Sequence, residues 1–148
     1  MIPNLTVQKY GGATLSTPEK IKEVASRIRS QAVSGPLVVV VSAMGSTTNS
    51  LIELARKVSP RPHQRELDML LSTGERVSMA LLSMALNDLG CPAISFTGSQ
   101  AGILTDESHF NANIIEIRCP RGEQALREGK VVILAGFQGV SPLTKEIT

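Results

Sequence analysis

Hydrophobic positions along the chain alternate between short apolar runs and helical spacing. Leu5 to Tyr10 reads as a strand, and Ser16-Thr17-Pro18-Glu19 then announces a helix. That signal combines a Ser/Thr cap, a proline at the first position and a glutamate three residues after Ser16. Ile21, Val24, Ala25, Ile28 and Ala32 follow at 3.6-residue spacing, and Gly35-Pro36 closes the segment. Residues 37–41, "LVVVV", form an all-apolar β-branched run, the pattern of a strand buried on both faces of a parallel sheet. A second amphipathic helix runs through Leu51, Ile52, Leu54, Ala55 and Val58.

After a loop at 59–64, a mostly helical stretch is predicted from Glu66 to Leu89, interrupted at "STGE" (72–75) and ended by Gly90 in the left-handed conformation. "PAISFT" (92–97) is a further strand leading into the glycine-rich "GSQAG" (98–102). Residues 113–118 predict a short strand, 120–129 a short helix, and "VVILAGF" (131–137) another buried strand. The pattern predicts one α/β domain over 1–148, its mainly parallel sheet sandwiched between helical layers.

Composition narrows the function classes. A chain of 148 residues is long enough to bury roughly 70% of the surface its unfolded form exposes. Fifteen basic against 13 acidic residues leave a formal charge of +2, too small and dispersed to predict nucleic acid or a membrane surface as a partner. Three Phe, one Tyr and no Trp disfavour a base-stacking platform. Cys91 and Cys119 stand apart without metal-ligand spacing. The start of the chain lacks the pattern of a signal peptide, and its longest apolar run is far short of the ~20 residues that span a bilayer, so a cytoplasmic protein is expected.

The chemistry gathers in glycine-containing loops. They fall at 11–12, 45, 98–102 and 136–139, each after a predicted strand, and ligands of such folds sit at the carboxyl ends of strands. The first loop, "KYGG" (9–12), places a lysine before two glycines, where the backbone can approach an anion closely and the lysine can neutralise it. Neither a GxGxxG opening nor a GxxxxGK[ST] loop is present.

With those loops in order, the chain resembles the aspartokinase branch of the amino acid kinase family. "KYGGAT" (9–14) is similar to its phosphate loop, "VVVVSAMGSTTNSL" (38–51) to its second loop and "LLSTGER" (70–76) to its acceptor-binding segment. "SFTGSQAGILT" (95–105) and "GFQGV" (136–140) are similar to its later loops. The resemblance implies ATP-dependent phosphorylation of the β-carboxylate of L-aspartate, with Mg²⁺ carried on the nucleotide, in a homo-oligomer. It implies a catalytic role for Lys9; nucleotide phosphate binding by Lys9, Tyr10, Gly11, Gly12 and Ser42; and substrate binding by Thr47, Thr48 and Glu75. Ala13 stands where the family carries Ser or Thr, and Thr14 retains the next hydroxyl.

The family's kinase domain continues past "GFQGV" with a GRGGSD-type motif, an ATP-binding half and, later, ACT regulatory domains. The chain therefore reads as the first part of a catalytic domain, expected to be inactive by itself and to self-associate. Two rivals remain open: another amino acid kinase, such as an acetylglutamate or uridylate kinase, and a non-catalytic regulatory or assembly module. Thr47 and Thr48 can also be read as helix caps, and Glu75 as a first-turn acid on a helix dipole. His63 and His109 read as solvated, Asp106 and Glu107 as surface polar residues, and Met69, Met79 and Met84 as core or interface fillers.

Overall fold

The computed structural model describes residues 2–148; Met1 lies outside them. The elements are β1 (Thr6–Tyr10), α1 (Pro18–Ala32), β2 (Leu37–Val41), α2 (Thr47–Val58), α3 (Gln64–Asp88), β3 (Ala93–Phe96), β4 (Ile103–Thr105), β5 (Ile114–Ile117), α4 (Pro120–Arg127) and β6 (Val131–Ala135). A 3-10 turn over Gly12–Leu15 joins β1 to α1. Strands β1, β2, β6 and β3 form one parallel sheet in that order. All its carboxyl ends therefore lie along one edge, as the glycine loops predict.

Strand alternation divides the core in two. Leu37, Val39, Val41, Ile133 and Ala135 face α1 and α3, meeting Ile21, Val24, Ile28, Leu82 and Leu86. Val38, Ile94, Phe96, Val132 and Leu134 face the other way, toward Ala125 and Leu126 of α4. That second layer is thin. Helix α4 has only 8 residues, and the rest of this layer is the antiparallel β4–β5 ribbon. Val38 and Val40 are consequently half-buried, which corrects the expectation that residues 37–41 are buried on both faces. On this side Val7, Ile114 and Ile117 are exposed.

Two local expectations also change. Helix α1 is capped by Thr17, whose Oγ1 accepts from Lys20 N at 3.3 Å with Pro18 in the first turn. Ser16 instead accepts from Lys20 Nζ at 3.0 Å, so the box expected between Ser16 and Glu19 does not form. Helix α3 is continuous through residues 72–75. A glycine inside a helix costs about 1 kcal/mol relative to alanine, and here close packing offsets it. A Cβ on Gly74 would lie 2.8 Å from Ala43 Cβ and 3.6 Å from Thr47 Cγ2. Gly74 marks a helix crossing, and the helix does not break there.

Helix α3 is much longer than the strands it covers. Its 25 residues extend about 37 Å, whereas the five residues of β2 extend about 16 Å. Leu82 and Leu86 pack on the sheet, so the first half of α3 overhangs the carboxyl edge of the strands. It becomes a shelf against which the loops can rest.

Candidate functional site

Backbone contacts draw three of the glycine loops together at that edge. Ser42 N donates to Tyr10 O, Gly45 N to Gly12 O at 2.9 Å, and Gly136 N to Val41 O at 2.9 Å. Gly12 is there because nothing larger fits: a Cβ would sit 2.6 Å from Ala43 O and 3.0 Å from Gly45 O. Gly12→Ala is therefore expected to destabilise the fold by about 1–3 kcal/mol, since backbone carbonyls cannot yield as a side chain can. Chemical denaturation at constant slope checks this, and an unchanged midpoint would mean that the two loops separate freely.

Glu75 is the most unusual group at this edge. Its carboxylate reaches from α3 to the end of β2, where Oε1 accepts from Ala43 N at 3.2 Å. The residue is only 3% exposed, and Oε2 is buried with no hydrogen-bond partner among the described residues. Burial pushes its pKa above the ordinary carboxylate value, while hydrogen bonds from backbone N–H groups pull the other way. A buried carboxylate oxygen without a donor is costly to leave unmade. A cationic donor entering from the strand edge would satisfy it. The expectation of a first-turn acid does not hold, because Glu75 lies in the middle of α3.

Thr47 and Thr48 open α2, but neither caps it. Ser46 holds the cap position without a side-chain hydrogen bond, and Thr47 Oγ1 donates to Met44 O at 2.6 Å. Thr47 N already donates to Met44 O at 2.9 Å, and the Thr48 and Asn49 N–H groups of the first turn of α2 are left without a side-chain cap, the arrangement that suits an anion. Thr47 touches the Gly74 crossing, one residue from Glu75. Gly12, Ala43, Gly45, Thr47 and Glu75 thus form one contiguous cluster, and Ser42 is half-buried beside it.

Lys9 and Tyr10 leave β1 on opposite faces. Lys9 pairs in register with Val40, on the face away from α1 and α3, and is exposed. It makes no ion pair among the described residues. The Tyr10 side chain packs against the main core and donates its hydroxyl to Gln8 Oε1 at 3.0 Å, and burial raises its pKa. Only the backbone of Tyr10 belongs to the 9–12 loop. Gly11 has open space around the position of a Cβ.

On the sheet face that carries Val7 and Val40 a cavity of about 590 Å³ opens, lined also by Phe110, Ala112, Gly136 and Gln138 among others. Gln138 is buried and ties the 136–139 loop to α3, its Nε2 donating to Ser72 O at 3.1 Å. His109, expected to be solvated, is engaged here, and Asp106, a surface polar residue as expected, anchors the loop beside it. His109 Nδ1 lies 2.7 Å from Asp68 Oδ2, and Asp106 accepts from Ser108 N at 3.0 Å and Asn113 Nδ2 at 2.9 Å. The Asn113 hydrogen bond, foremost, holds the Asp106 carboxyl below its ordinary pKa. Asp68 and Gln138 carry no signal in the sequence because their partners are 41 and 66 residues away.

The model of the amino acid kinase family matches residues 4–147. The aspartokinase of Mycobacterium tuberculosis (strain H37Rv) is 54% identical over 145 residues, covering 97% of this chain and 34% of that protein. The aspartokinase of Corynebacterium glutamicum shows the same identity and the same coverage, 54% over 145 residues. The chain spans about a third of the length of these curated relatives. Among solved structures, aspartate kinase from Synechocystis is 53% identical with a TM-score of 0.79, over 97% of this chain and 23% of that one. Escherichia coli aspartokinase III in complex with aspartate and ADP superimposes with a TM-score of 0.77 at 20% identity, over 97% of this chain and 42% of that one. This last likeness speaks for the fold.

Proposed function

The chain belongs to the amino acid kinase family, and from that premise we propose that it carries the acceptor and phosphate-loop side of an aspartate kinase. The reaction is transfer of the γ-phosphoryl group of ATP to the β-carboxylate of L-aspartate. The observation that carries this reading is the buried, half-satisfied carboxylate of Glu75 beside Ala43 N, Thr47 and the start of α2. An amino-acid acceptor brings an ammonium that a carboxylate can hold, and Glu75 Oε2 is placed to accept from it. Thr47, Thr48 and the N–H groups of α2 suit a carboxylate.

In this reading the acceptor needs no general base. The β-carboxylate is already anionic at neutral pH; its oxygen attacks the γ-phosphorus, the bond to the bridging oxygen breaks, and ADP departs with that electron pair. Phosphoryl transfer of this kind rests on alignment and charge stabilisation. Lys9 supplies a positive charge toward the transferring group, Gly11 and Gly12 let the backbone approach it, and Ser42 adds a hydroxyl. Mg²⁺ brought in with the nucleotide would add charge stabilisation to that supplied by Lys9. Transfer to aspartate would open lysine, threonine and methionine biosynthesis in the cytoplasm.

A coupled ADP-release assay on the intact protein tests the proposal, with aspartate, N-acetylglutamate and UMP offered as acceptors. Turnover confined to aspartate is the expected result, and preference for either rival acceptor would reassign the substrate. Residues 1–148 alone are expected to give no aspartate-dependent turnover. Holding both reactants in line can supply roughly 7–11 kcal/mol of the barrier reduction, and the resemblance assigns adenosine binding to segments outside this span. Turnover by residues 1–148 alone would place the whole essential site within them.

A further inference from the structure

One buried charged group takes no part in the chemistry above. Asp68, 8% exposed, lies on α3 seven residues before Glu75 and four before Ser72, spacings that put all three on one helix face. This is the overhanging half of α3. Asp68 Oδ2 lies 2.7 Å from His109 Nδ1, and Phe110 N donates to the carboxylate at 3.2 Å to Oδ1 and 3.1 Å to Oδ2. His109 and Phe110 sit in the β4–β5 connection, 41 and 42 residues further along the chain.

The clasp holds an otherwise unfavourable conformation. Phe110 has φ +67°, in the left-handed region that is unfavourable for a residue with a Cβ. Its ring is exposed, so packing does not compensate that cost. Strained residues persist where surrounding contacts over-determine them, and such contacts gather at functional sites. Directly after the clasp, Phe110, Asn111 and Ala112 line the 590 Å³ cavity opposite Gly136 and Gln138. One turn along α3, Ser72 O receives Gln138 Nε2. The same helix face therefore fixes two loops and carries Glu75.

We propose that Asp68 and His109 form a latch that fixes the 106–113 loop against the face of α3 that carries Glu75, making them positioning residues for the acceptor. The inference rests on the aspartate kinase reading but concerns different residues. Freed from Asp68, the loop leaves α3, the support it shares with Glu75 is loosened, and the acceptor loses orientation relative to the phosphoryl group. Nucleotide affinity depends on other segments and stays as it was.

The test uses Asp68→Ala, His109→Ala, their double variant and His109→Asn in the intact protein. Asparagine keeps a donor near the position of Nδ1. The single alanine variants are expected to raise the apparent KM for aspartate on the order of tenfold, with the KM for ATP within twofold of the parent. The double variant should be no worse than the more severe single one, because the two residues act as a pair, and His109→Asn should recover most of the loss. Amide exchange at residues 106–113 should accelerate in the alanine variants while exchange in the β-sheet does not change. Faster loop exchange with an unchanged aspartate KM would overturn the positioning role, as would additive single effects. If Glu75→Gln also leaves the aspartate KM at its parent value, the acceptor reading itself fails. If Glu75→Gln raises it and the latch variants do not, the latch alone fails.

Discussion

Lys9→Ala in the intact protein is expected to lower kcat by about two to three orders of magnitude while the apparent KM for ATP moves only a few-fold. Removing one preorganised donor to a developing charge has an effect on the order of 10²–10³ in other enzymes. The placement of Lys9 supports the larger share falling on turnover. It is exposed at the carboxyl end of β1, and among the described residues no acidic side chain pairs with it. A lysine held by a carboxylate would have its charge partly spent before substrate arrives. An unpaired lysine offers its full charge to the phosphoryl oxygens, and that interaction strengthens as charge shifts in the transition state. Steady-state kinetics at saturating aspartate separate the two effects. Equal changes in KM and kcat/KM, with kcat preserved, would make Lys9 a nucleotide anchor only.

The fold was readable where one principle dominates. The runs at 37–41 and 131–137 announce parallel strands because a sheet covered on both sides needs apolar side chains, although β2 is fully buried on one face only. Register and strand order were not readable. Placing β6 between β2 and β3 depends on a chain crossing that periodicity does not encode. Strand β4 has three residues, too few for any period to show. At Gly74 the local cost of a helical glycine suggested a break, and the tertiary crossing at Ala43 outweighed it. The site divided in the same way. Lys9, Gly12 and Glu75 stand in motifs with local chemical meaning, whereas Asp68 and His109 acquire theirs only when α3 and the β4–β5 connection meet. A lone histidine in a polar loop carries no sign of a partner 41 residues earlier.

Glu75→Gln is expected to raise the apparent KM for aspartate at least tenfold, leave ATP affinity unchanged, and make the unliganded protein no less stable. The first effect comes from replacing a charge-assisted hydrogen bond to an ammonium, worth about 1.5–3 kcal/mol, with a neutral one. The stability expectation comes from burial. Glu75 is 3% exposed and its Oε2 has no partner among the described residues, so the folded protein holds a charge in a poor environment until a cation arrives. Glutamine keeps an acceptor for Ala43 N and removes the charge. The pH dependence fixes the sign. Burial raises the pKa of Glu75, so the folded state holds its proton more tightly than the unfolded state does. Between the ordinary carboxylate pKa and the raised one, the folded state therefore binds more protons, and stability falls as pH rises through that window. The variant lacks this loss, and its melting temperature should exceed the parent's most clearly above the window. Aspartate binding runs the opposite way in the parent: the ammonium needs the ionised carboxylate, so affinity weakens as pH drops toward the raised pKa. In Glu75→Gln that dependence should flatten. Thermal melts and aspartate titrations across a pH series that begins at the ordinary carboxylate pKa read both trends. A variant that melts lower than the parent and binds aspartate normally would make Glu75 a structural tie between α3 and the end of β2.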